Sequence, residues 1–107
     1  MQARRLILER AGHTVTPARN LREVIAACRS DSFSVVILGP ALPRNEKLRV
    51  RDVLYIECRD AKVLELHTGV APELSSADAH LRVTASAPEG LVACVDSLIA
   101  SRKRRGA

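Results

Sequence analysis

Few residues in this 107-residue chain could do chemistry, and their spacing argues against most of what they could do. Cys28, Cys58 and Cys94 stand about thirty residues apart or more. There is no Cys-x-x-Cys and no close Cys/His pair, so no framework for tetrahedral zinc. The count is odd, and the start Met1-Gln2-Ala3-Arg4-Arg5-Leu6 lacks the apolar core of a signal peptide. The expectation is buried, reduced thiols in a cytoplasmic protein. His13, His67 and His80 are scattered. His67-Thr68 falls at an expected strand end, beside Gly39, where it either lines a small anion pocket or, more plainly, sits in a solvated loop. Ser75, His67 and Asp78 supply the three residue types of a hydrolytic triad, but nothing supplies a nucleophile elbow or oxyanion hole. The glycines are isolated, so no phosphate-cradling loop is present. The expectation is no enzyme, no cofactor, no metal and no small-molecule substrate.

The elements that would position such groups are organised around Ser34-Val35-Val36-Ile37-Leu38, an apolar β-branched run that reads as a strand buried on both faces. Gly39, Pro40 and Pro43 end it. In a parallel α/β sheet the loop past such a strand is where ligands usually sit, yet Gly39-Pro40-Ala41-Leu42 offers no side chain that attacks, shuttles protons or binds metal. Before it come a short helix, Ala3 to Ala11, closed by Gly12; a strand, His13 to Thr16, closed by Pro17; and an amphipathic helix capped by Asn20. Glu23 completes a capping box there, and Leu21, Val24, Ile25 and Cys28 form the stripe. After it come a helix from about Glu46 to Cys58, capped by Asn45, with apolar Leu48, Val50, Val53, Leu54 and Ile56; a strand over Lys62–Leu66; and a loop over Val70–Asp78. A partly wet strand over Ala79–Thr84 follows, then a last helix capped by Ser86, with Pro88 and Glu89 in its first turn and Leu91, Val95, Leu98 and Ile99 inward. Strands alternating with helices imply parallel crossovers.

The core must be aliphatic, for the chain holds one Phe, one Tyr and no Trp. That argues against a single-strand nucleic-acid binder built on aromatic platforms. The net charge of +5 resides in Arg102-Lys103-Arg104-Arg105; set those four aside and the basic and acidic residues nearly balance. Such a run reads as a solvated, disordered basic tail over 102–107, with contact to nucleic acid as the sharper alternative. No run is long enough to span a membrane.

Four stretches in order resemble response-regulator receiver domains. Leu8-Glu9-Arg10-Ala11-Gly12-His13-Thr14-Val15 resembles their "L-x-x-x-G-y-x-V" passage. Phe33 to Pro43 resembles the central "D-l-v-i-l-D-x-x-m-P". Leu64-Glu65-Leu66-His67-Thr68-Gly69 resembles the fourth strand and its hydroxyl residue. Ala77-Asp78-Ala79-His80-Leu81 with Ala87-Pro88-Glu89-Gly90-Leu91 resembles "a-D-x-y-L … x-P-e-e-L". The resemblance implies a flavodoxin-like (CheY-like) α/β three-layer sandwich with a parallel sheet over residues 1–101, its first strand missing. His13–Thr16 would then pair with Ser34–Leu38 in a rearranged four-stranded sheet, or a partner would fill the gap.

The departures matter more than the matches. Phosphoryl transfer onto a receiver needs a nucleophilic Asp, an acidic pair for Mg²⁺, a hydroxyl and a lysine. Gly39 stands at the nucleophile position, the acidic pair is missing with the first strand, the lysine position falls near Val83 or Thr84, and Thr68 alone remains. The expectation is a non-phosphorylatable, receiver-like signalling module that works by contact with a protein partner or a second copy. By resemblance its contact face holds Leu81, Val83, Leu91 and Val95. The alternative is a small protein that associates with nucleic acid through Arg102, Lys103, Arg104 and Arg105.

Overall fold

The computed structural model describes residues 2–84 and 90–106. In chain order the elements are α1 (Gln2–Arg10), α2 (Leu21–Ser30), β1 (Val35–Leu38), α3 (Arg44–Glu57), β2 (Lys62–His67), β3 (Ala79–Arg82) and α4 (Leu91–Gly106). The expected cap at Ser86, with Pro88 and Glu89, lies outside the described residues. The bounds of α4 take in the backbone of the basic run. Among the described residues no helix is long and apolar enough to cross a membrane.

The chain is an α/β protein with one three-stranded parallel sheet, ordered β1-β2-β3. Alternation along β2 divides the core. Leu64 and Leu66 face Leu8 of α1 and Leu91, Val95 and Leu98 of α4. Val63 faces Val50 and Leu54 of α3, with Leu21, Val24 and Cys28 of α2 packed at the margin. Helices therefore cover both faces, and β2 is buried on each, as a central parallel strand must be.

The expected strand at His13–Thr16 does not form, so the described residues hold no fourth strand. Gly12 takes the left-handed conformation (φ 96°), and the Gly12 and His13 N–H groups turn back to the Glu9 and Leu8 carbonyls. His13 is then held by Asp96 of α4, 2.9 Å away, and Val15 packs on the α1/α4 core without joining a ladder. Local strand propensity yields here to a helix cap and a tertiary side-chain hydrogen bond. β1 is left at the edge. The Lys62 N–H donates to the Ser34 carbonyl, which sets the phase and turns the Val35 and Ile37 backbone groups outward. Among the described residues nothing bonds to them.

The α2 cap forms as expected. Asn20 Oδ1 accepts from the Glu23 N–H at 2.9 Å, and Glu23 reaches back to the Arg19 N–H. The start of α3 differs: the helix begins at Arg44 behind Pro43, which gives no side-chain cap, and Asn45 lies inside it. Its inward stripe is Lys47, Val50 and Leu54, whereas Leu48 and Ile56 are exposed. β3 stops at Arg82, so Val83 and Thr84 lie beyond it.

The expectation of three reduced thiols is also corrected. Cys28, near the end of α2, and Cys58, at the C-cap of α3, form a disulfide with Cα atoms 5.6 Å apart. The two helices pack side by side and end together, which brings residues 30 positions apart within bonding range. Cys94 alone is free.

Candidate functional site

β1 and β2 run parallel, so their C-terminal ends open at the same end of the sheet. There a cavity of about 370 Å³ is lined by Pro40 to Pro43, His67, Thr68, Gly69, Ala71 and Glu73. Gly39 directly follows β1. A Cβ placed on it would meet nothing within 4 Å and its φ is not left-handed, so neither packing nor backbone geometry demands a glycine there. A Cβ would be tolerated there, and the sequence leaves it out. Thr68 is exposed at the cavity rim.

His67 is the last residue of β2 and only 6% exposed, not the solvated loop histidine expected. Its Nδ1 lies 3.3 Å from the Gly69 carbonyl. A carbonyl can only accept, so Nδ1 carries a proton. Neither Ser75 nor Asp78 bonds to His67; Asp78 is engaged with the Val63 N–H through Oδ2 at 2.7 Å. The triad of residue types is therefore not a triad in space. No group of three or more His, Cys, Asp or Glu among the described residues could hold a metal ion.

Behind the cavity lies a cluster that sequence reasoning missed. Lys47 and Glu65 are both 0% exposed, and the Lys47 ammonium donates to Glu65 Oε2 at 2.8 Å, to the Leu66 carbonyl at 3.2 Å and to Glu73 Oε1 at 2.9 Å. All three ammonium protons are used, so none is left for a ligand. Glu65 in turn accepts the N–H groups of Glu73 and Leu74, each at 3.0 Å, and His80 Nε2 donates to the Leu74 carbonyl at 2.7 Å.

The crossover that this cluster grips explains it. Parallel strands are usually joined by a helix that satisfies its own backbone. Residues 68–78, between β2 and β3, form no helix, yet Leu74 is fully buried against α3. Backbone groups carried inward with Leu74 need partners, and Glu65 and His80 provide them. The Lys47–Glu65–Glu73 cluster holds the loop that shapes the cavity. Its two buried members, Lys47 and Glu65, are fully engaged, and so they position rather than react.

Its charges make stability pH-dependent. Burial alone would push the Glu65 carboxyl up, but hydrogen bonds from Lys47, Leu74 and Glu73 outweigh it and hold the group below its ordinary 4.5. Burial would pull Lys47 down, but Glu65 and Glu73 outweigh it and raise the ammonium above its ordinary 10.5. A depressed acid stabilises fully above its unfolded pKa and loses that contribution as pH falls through the folded value. A raised base stabilises fully below its unfolded pKa and loses it as pH climbs through the folded value. The pair's contribution is therefore flat from about pH 4.5 to 10.5 and falls on both sides. Urea midpoints across pH should show an acid decline that Glu65→Gln flattens.

The four residues expected on a contact face do not offer their side chains outward. Val83, Leu91 and Val95 are buried in the α4 core and Leu81 is half-buried against it. No protein-family model matches the chain, and neither curated proteins nor solved structures give a match.

Proposed function

We propose that this chain is a non-phosphorylatable, receiver-like module that signals through contact with a protein partner or a second copy, in the cytoplasm. The observation that carries the proposal is Gly39, which directly follows β1 and precedes Pro40, the first residue lining the strand-end cavity; by the resemblance, a phosphoacceptor would stand at this position. Three parallel strands in sequence order agree with the third, fourth and fifth strands of a flavodoxin-like sheet. The one carboxylate lining the cavity, Glu73, is tied to Lys47. Such a module depends on surface contact, made by the outward residues of β3 and α4 and not by Val83, Leu91 and Val95.

The test is acetyl phosphate with Mg²⁺, read by intact mass. Neither the wild-type chain nor Gly39→Asp should gain a phosphoryl group. The variant's Cβ meets no obstacle, but the chain lacks the acidic pair that would hold the metal. A phosphoryl adduct on an aspartate of the wild-type chain would overturn the proposal.

A further inference from the structure

Another cavity, about 130 Å³, lies at the opposite end of the sheet, before β1 and β2. Cys28 and Cys58 both line it, with Phe33, Arg59 and Asp60 among its other walls. Cys58 is buried and Cys28 is half-exposed. The cavity therefore gives solvent an approach to the disulfide from the side of Cys28, the less buried of its two residues.

What the bond holds is unusual. α2 contributes no buried residue to the core. Its apolar stripe meets the second core cluster only with half-buried Leu21, Val24 and Cys28. Beside the disulfide, Arg29 forks onto Glu57, with bonds of 3.1–3.2 Å, and the Arg29 side of this pair is solvated. By contrast α3, on the other side of the bond, is anchored by buried Val50, Leu54 and the Lys47 cluster. The covalent link therefore clasps a marginal helix to a firm one.

We propose that Cys28–Cys58 is a thiol–disulfide exchange site whose substrates are small thiols, and that its reduction releases α2. A thiolate entering from the cavity attacks the sulfur of Cys28, the less buried of the two residues. A mixed disulfide forms, the Cys28–Cys58 bond breaks, and its electron pair leaves with Cys58, which takes a proton from water. A second thiolate attacks the external sulfur of the mixed disulfide, and Cys28 leaves as thiolate and is protonated in turn. Two small thiols are oxidised to their disulfide as the cystine is reduced. The Arg29–Glu57 pair keeps the freed ends near each other, so the reaction runs back under an oxidised small disulfide. Solvent-reachable disulfides are the labile, regulatory ones, in contrast to sealed structural bonds. Cys94 takes no part: it lies on α4, against the other core cluster, and burial pushes its thiol up.

The experiment treats the full, native chain with millimolar glutathione, counts thiols by alkylation and intact mass, and follows amide exchange. The expected result is two added hydrogens and two new alkylatable cysteines. The α2 amides should exchange at least about tenfold faster while β2 is unchanged, and oxidised glutathione should reverse the change. The Cys28→Ser/Cys58→Ser variant should match the reduced chain and ignore glutathione. The proposal is overturned if glutathione leaves the bond intact, if the thiols cannot be oxidised, if α2 exchange does not change, or if β2 opens with it.

Discussion

Glu65→Ala is expected to destabilise the fold by about 3–5 kcal/mol, the range seen when one partner of a buried ion pair is removed. Two costs add. The Lys47 ammonium stays 0% exposed with only Glu73 to balance it, and the N–H groups of Glu73 and Leu74 lose their acceptor, each unsatisfied group costing about 1–3 kcal/mol when buried. Replacing both members with a greasy pair should not restore stability, because Glu65 serves the loop backbone as well as Lys47. Lys47→Met with Glu65→Gln should recover more, since the amide oxygen still accepts an N–H and no buried charge is left alone. The coupling from the double-mutant cycle should be about 0.5–3 kcal/mol. Denaturant midpoints for wild type, Lys47→Met, Glu65→Gln, their double variant and Glu65→Ala decide it, and a Glu65→Ala cost below about 1 kcal/mol would mean that residues 68–78 are held in some other way.

The physics of the cluster also explains why it was hard to read in advance. In Arg44-Asn45-Glu46-Lys47-Leu48-Arg49 a lysine looks like one more solvated charge. The usable signal was spacing: Lys47 precedes Val50 and Leu54 by three and seven residues, so it shares their face. A second signal was Glu65, a lone carboxylate inside Val63-Leu64-Glu65-Leu66, where a strand buried on both faces forces any charge to find a partner. The α2 cap was legible because every part of it lies within one helical turn of sequence. So were the β1 and β2 runs, which declare themselves by composition. The disulfide was not, because the meeting of Cys28 and Cys58 depends on how α2 and α3 pack. Nor was the loss of the His13–Thr16 strand, which turns on Asp96 of α4, 83 residues away.

That lost strand sets up the sharpest test of the sheet. Leu66→Ala, on the central strand and fully buried, should cost about 2–5 kcal/mol, the usual range for a leucine truncated inside a packed core. Ile37→Ala, on the edge strand and half-buried, removes as many carbons or nearly so but from a site where water can fill the space. Its cost should be only about 1 kcal/mol. The gap between the two follows from the order β1-β2-β3 with β2 alone in the middle. Were a fourth strand to cover β1, Ile37 would sit between two neighbours and the two costs would converge. A covering strand from the same chain would leave the denaturation midpoint independent of protein concentration, whereas one donated by a second copy would raise the midpoint with concentration. Ile37 therefore reports, through one truncation, whether the outward Val35 and Ile37 backbone groups face water or another strand.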